Sequence, residues 1–144
     1  MFSKACEYGI RAAVFIALQS EKGSRVGLRD IAKSIDSPEA FTSKILQQLS
    51  RNELIHSSKG PIGGFEMTKY QLDTVMLSDV VRTIDGDAVY TGCGLGLPKC
   101  NASRPCPLHH EFMGIREKLK VMLTTMSVRQ LAGSLKAGEA ILKR

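Results

Sequence analysis

The chain has 144 residues, 43% of them apolar, which suits one compact domain and excludes wholesale disorder. Lys and Arg outnumber Asp and Glu by 20 to 14, and the resulting +6 charge favours polyanionic partners such as nucleic acid. Trp is absent, and the apolar run Ala12–Leu18 is too short to span a bilayer and lacks a cleavage site after it, so a cytoplasmic protein with no membrane partner is expected.

Residues 4–21 read as a first helix, with Ile10, Ala13, Val14, Ala17 and Leu18 recurring at steps of three and four. A short helix is predicted around Leu28 to Ser34. The next helix starts at Ser37-Pro38, where Ser37 is a candidate cap and Pro38 suits the first turn, and it runs to about Asn52. Phe41, Ile45, Leu46 and Leu49 share one face of it. Ala40, Ser43, Lys44, Gln47 and Arg51 share the other, where small, hydrogen-bonding and basic side chains suit a major groove. Leu54–Ser58 and Phe65–Thr68 read as short strands joined by the turn-forming run Lys59-Gly60-Pro61-Ile62-Gly63-Gly64. The glycines keep this hairpin slim enough for a minor groove, with Lys59 beside it to meet phosphate.

A further helix is predicted from a Ser78 cap to Asp85, ended by Gly86. Residues 87–106 have no periodicity and read as a loop whose length implies a function. From Pro107 to Met126, Leu108, Phe112, Ile115, Leu119, Met122 and Met126 form a heptad seam. The expected role of the seam is dimerisation, with burial inside one chain as the competing reading. Ser127 is a candidate cap for a last helix to about Leu135, and a frayed end follows. The fold class is thus mainly α, a winged helix-turn-helix with a small two-stranded wing and a long C-terminal dimerisation helix. The expected division is residues 1–86 for DNA binding, 87–106 as a cysteine-bearing sensor loop and 107–144 for dimerisation.

Four cysteines in a cytoplasmic chain point away from structural disulfides, and Cys93, Cys100 and Cys106 crowd into the one loop. Three thiolates are soft ligands that suit zinc or an iron–sulfur cluster. Structural zinc sites use close Cys-x-x-Cys pairs, whereas the gaps here are six and five residues, which favours wrapping a larger group. No phosphate loop, Ser-x-x-Lys or His-Glu-x-x-His pattern supports an enzyme.

The chain resembles the Rrf2 family of bacterial transcription regulators over roughly residues 2–135. The resemblance is carried by Ser3-Lys4 through Arg11-Ala12-Ala13, by Ser43-Lys44-Ile45-Leu46-Gln47-Gln48-Leu49, and by the wing Lys59–Phe65. Leu77-Ser78-Asp79-Val80 and the three-cysteine loop before a long helix complete it. It implies a homodimer on a palindromic operator, with Thr42, Ser43, Lys44 and Gln47 nearest the bases and Lys59 near the backbone or minor groove. It also implies a 2Fe–2S or 4Fe–4S cluster on Cys93, Cys100 and Cys106, sensing redox state, nitric oxide or cluster supply, although family loops usually have five residues in each gap. The fourth ligand stays open. Glu7 aligns with a carboxylate donated by the partner subunit in one branch, and His109 has the spacing of the histidine ligand in another. Cys6 is a third candidate, and His110 reads as a solvated neighbour. A cluster-free regulator of the same fold, switching through a disulfide between loop cysteines, is the alternative.

Overall fold

The computed structural model describes residues 1–144: eight helices and one two-stranded antiparallel sheet. Helix α1 (Lys4–Glu21) starts at Ser3, whose hydroxyl accepts from the Cys6 amide at 3.0 Å. The Ser3 amide donates to Asp85 at 2.9 Å, tying the start of α1 to the far end of a later helix. The buried face of α1 is wider than its sequence stripe and includes Cys6, Gly9, Ala12 and Ile16. The physical reason is its central place, since it packs on four other helices.

Helix α2 (Leu28–Ile35) ends on Asp36 in the left-handed conformation (φ 52°), and Arg11 of α1 donates to the Ile35 carbonyl at 2.8 Å. Helix α3 (Glu39–Arg51) follows with Pro38, not Ser37, at its N-cap. The Ser37 hydroxyl instead hydrogen-bonds the Thr42 hydroxyl. Ile45, Leu46 and Leu49 lie in the main core with Ile16, Ile31 and Ile35.

Strands β1 (His56–Ser58) and β2 (Gly64–Glu66) pair with Ser57 opposite Phe65. They are shorter than predicted because both flanks turn into the core. Ile55 is buried before β1, and the Met67 amide donates to the Ser20 hydroxyl after β2. Helix α4 (Lys69–Thr74) was not predicted; Thr68 and Gln71 cap it reciprocally. Helix α5 (Leu77–Asp85) begins one residue before Ser78, which is buried within it. The capping group is Asp79, whose carboxylate accepts from the Met76 amide at 2.8 Å.

A single turn, α6 (Ala88–Thr91), interrupts the predicted loop. Helix α7 (His109–Thr125) packs on α5 and α6, and helix α8 (Val128–Lys136), capped by Ser127, returns to pack on α1. The core is therefore continuous from the first helix to the last, since Val128 and Ala132 join Ala12 and Val14 in it. The C-terminal residues are docked, not frayed: Leu142 packs on the core and Lys143 donates to the Lys33 carbonyl at 3.1 Å. No helix is long and apolar enough to cross a membrane.

Candidate nucleic-acid interface and cysteine site

Helix α3 presents Lys44, Gln47 and Arg51 to solvent, with Ser43 half-buried beside them. Thr42 corrects the expectation. It is fully buried, and its hydroxyl donates to the Pro38 carbonyl at 2.8 Å, so it faces the core and cannot reach a base. It stands three and four residues before Ile45 and Leu46, the spacing that puts side chains on one helix face. Lys44, Arg51 and the exposed Lys59 make no ion pair, so their charge is available to phosphate.

The wing conformation depends on its glycines in different ways. Gly60 has φ +98°, a region that L side chains avoid. A Cβ on Gly63 would fall 2.4 Å from the Ser58 carbonyl oxygen, and one on Gly64 would fall 2.7 Å from that of Val26. Val26 and Phe65 exchange two backbone hydrogen bonds, of 3.0 and 2.7 Å, which fix the wing to the body. Arg25 adds a brace that the sequence did not reveal. It donates to the Ile62 carbonyl at the wing tip and to the Glu66 carboxylate, each at 3.0 Å.

The three loop cysteines converge. Cys93 and Cys106 sulfurs are 3.9 Å apart, and the Cys100 sulfur is 3.3 Å from Nδ1 of His109. All four residues line one small cavity of about 10 Å³, with Leu97, Lys99, Asn101 and Arg104. His109, the first residue of α7, is almost fully buried there, whereas His110 is exposed. Hydrogen bonds to the Cys93 sulfur from the backbone at Leu95 and Leu97 hold its thiol below the usual range, favouring the thiolate that a metal requires.

Glu7 and Cys6 stand apart from this group. Glu7 pairs with Lys4 at 3.2 Å on α1. Cys6 is buried against Leu77, Val81 and Leu123, and its burial, with Asp85 nearby, pushes the thiol up to about 12. Burial among apolar side chains favours the neutral thiol at Cys6, away from the loop cysteines.

The donor set fits an iron–sulfur cluster by its chemistry: three sulfurs, one carrying backbone hydrogen bonds, and one imidazole around a shared space. They stand as two close pairs, and no three His, Cys, Asp or Glu side chains close to single-ion geometry. The cavity is about the size of one water, so a cluster requires the loop to open outward.

One face of α7 holds this loop. The Phe112 ring lies so close to Gly94 that a Cβ there would sit 2.4 Å from it. Arg116, one turn on, donates to the Gly92 carbonyl at 2.7 Å and to the Cys100 sulfur at 3.4 Å. The adjacent face is bare: Leu108, Ile115 and Met122 are 40%, 51% and 40% exposed, with Val121 beside them. The predicted seam is thus split. Phe112, Leu119 and Met126 are half-buried within the chain, while alternate members remain without a partner.

A helix-turn-helix with unpaired cations along its third helix, backed by a glycine-built wing, defines a winged-helix transcription regulator and not an enzyme. The chain belongs to the Rrf2 family, described as iron-dependent transcriptional regulators, whose profile it matches over residues 2–134. A putative HTH-type transcriptional regulator of Aquifex aeolicus is 27% identical over 133 residues, spanning 91% of this chain and 90% of that one. The HTH-type transcriptional regulator IscR of Klebsiella pneumoniae is 25% identical, spanning 88% and 76%. Among solved structures, CymR, the global cysteine regulator of B. subtilis, superposes with a TM-score of 0.73 at 18% identity over 92% and 96% of the two chains. IscR of T. potens does so with 0.71 at 18% identity over 97% and 92%. Both share the fold.

Proposed function

We propose that the protein is a homodimeric regulator whose affinity for a palindromic operator is set by an iron–sulfur cluster on Cys93, Cys100, Cys106 and His109. The supporting observation is the convergence of those four side chains on one cavity at the start of α7. His109 is favoured as fourth ligand because it already meets the Cys100 sulfur within the chain. Glu7 would have to arrive from a second subunit. The likeness to IscR proteins supports the same reading.

When bound, the cluster would supply a labile, redox-active centre. The protein's own part is to turn the state of the loop into a change in dimer geometry. Lys44, Gln47 and Arg51 with Ser43 would meet the major groove, and Lys59 with Gly60, Gly63 and Gly64 would present the wing. The bare stripe Leu108, Ile115, Met122 would pack on its counterpart, so that two α3 helices reach successive grooves.

The test is anaerobic purification with iron and sulfide analysis and a visible spectrum. A brown protein with thiolate-to-iron absorption is expected, lost in C93A, C100A, C106A and H109A but kept in E7A. A protein that stays colourless after reconstitution with iron and sulfide overturns the cluster. The 3.9 Å approach of Cys93 and Cys106 then favours the thiol-switch reading on the same frame.

A further inference from the structure

The geometry points to Arg116 as a positioning residue of the cysteine site: its guanidinium clamps the loop to α7 on both sides of Cys93 and compensates the negative charge that the loop gathers. This rests on the cysteine loop being the sensing element, and it adds a component that the ligand set does not contain.

Arg116 is half-buried and makes no ion pair with any carboxylate. Its guanidinium is instead spent on the cysteine loop. It finds two acceptors there: the Gly92 carbonyl at 2.7 Å and the Cys100 sulfur at 3.4 Å. The two anchor points bracket Cys93, and the planar fork of the guanidinium suits holding both at once, which an ammonium does less well.

The position on α7 gives the clamp its consequence. His109, Phe112 and Arg116 lie along one helix face and all touch the cysteine loop or its sulfurs. Ile115, the residue just before Arg116, lies on the bare stripe. A change in how Arg116 holds the loop therefore acts on the same turn of helix that carries the unpartnered face.

The charge argument uses only the placement of the guanidinium against the Cys100 sulfur. Three thiolates around a dipositive cluster core, with a neutral imidazole, leave one net negative charge, and one-electron reduction adds another. A fixed cation beside the sulfurs favours the more negative state, so it raises the reduction potential.

Two measurements separate the clamp from the charge. In the protein free of iron, hydrogen exchange of the amides from Gly92 to Cys100 should speed up several-fold in R116A and R116K alike, because neither keeps the fork. In the cluster-loaded protein, the midpoint potential should fall in R116A and be largely restored in R116K, which keeps the charge. A merely structural arginine would not give this split. Unchanged exchange and unchanged potential in R116A overturn the proposal. If the wild-type protein takes up no cluster but the exchange result holds, the clamp stands and the cluster reading alone fails. If the cluster assembles but R116A changes neither quantity, the reverse is true.

Discussion

The sulfur atoms of Cys93 and Cys106 lie 3.9 Å apart, while that of Cys100 meets His109 and Arg116. The S–S bond is about 2 Å long, so a small side-chain movement closes it. Hydrogen peroxide should oxidise this pair first in the iron-free protein: two thiols lose two electrons and two protons, and the peroxide leaves as two waters. Peptide mapping is expected to find the Cys93–Cys106 linkage, abolished in C93S or C106S and retained in C100S. A dominant linkage through Cys100 would show that the loop rearranges before it oxidises.

The split surface of α3 predicts three kinds of variant. Lys44→Ala should weaken binding to all DNA sequences alike and lower the salt slope by about one. Gln47→Ala should cost about 1–3 kcal/mol at one operator position and relax the sequence preference there. Thr42→Val should instead lower stability by about 1 kcal/mol, through its lost bonds to Pro38 and Ser37, with the base preference intact. Salt-series binding assays and thermal unfolding separate the three.

Gly63 needs no positive φ, but its Cβ position is taken by backbone of Ser58 and Lys59. Gly63→Ala must therefore push the wing tip open. The expected result is weaker operator binding with near-normal thermal stability, because the wing lies outside the main core. A loss of stability equal to that of a core substitution would contradict this.

The bare stripe on α7 gives an assembly test. Met122→Glu places a charge on this stripe beside Ile115, and Met122 lines neither cavity of the cysteine loop. Sedimentation should show a dimer for the wild type and a monomer for the variant, with specific operator binding lost. A dimer that survives this substitution would locate the subunit contact elsewhere.

Cys6 predicts an alkaline weakness. Its folded thiol is raised from 9.0 to about 12, so between these values the unfolded chain has given up a proton that the folded chain keeps. Stability therefore falls as pH rises through that window. Cys6→Ala should flatten the fall, as read from urea midpoints between pH 8.5 and 10.5.

Tyr90 on α6 has a buried hydroxyl with no hydrogen-bond partner. An unsatisfied buried group costs about 1–3 kcal/mol. Tyr90→Phe should raise the unfolding midpoint and leave the loop geometry unchanged.

The long helices were legible because their apolar period of three and four residues survives in sequence: α1, α3 and α7 lie within a few residues of their expected bounds. The wing was legible from its turn chemistry. Helix α4 has no apolar period and is announced only by Thr68 and Gln71, a capping pair with no apolar run behind it. Ser37 and Ser78 look like caps, but Pro38 and Asp79 supply the geometry in their place. The cysteine grouping followed from spacing, as did the candidacy of His109. Arg25 and Arg116 carried no signal, because an arginine that braces a loop has the same sequence context as one in water. The heptad seam showed an apolar stripe but not which of its members would be used up inside the chain.

The two ends of α7 are held by different forces. At its C-terminal end, Leu77 donates to the Met126 carbonyl and Val128 to the Val75 carbonyl, stitching the helix exit to the start of α5 with backbone bonds of 2.9 and 3.2 Å. At its N-terminal end one backbone bond, from the His109 amide to the Cys106 carbonyl at 3.0 Å, joins side chains in holding it to the loop. The helix is thus a lever about 25 Å long with its fulcrum beside the core. A displacement of about 2 Å at His109 swings it by roughly 5°, and the proposed dimer, built on two such levers, would change the spread of its reading heads while the core of each subunit stays still.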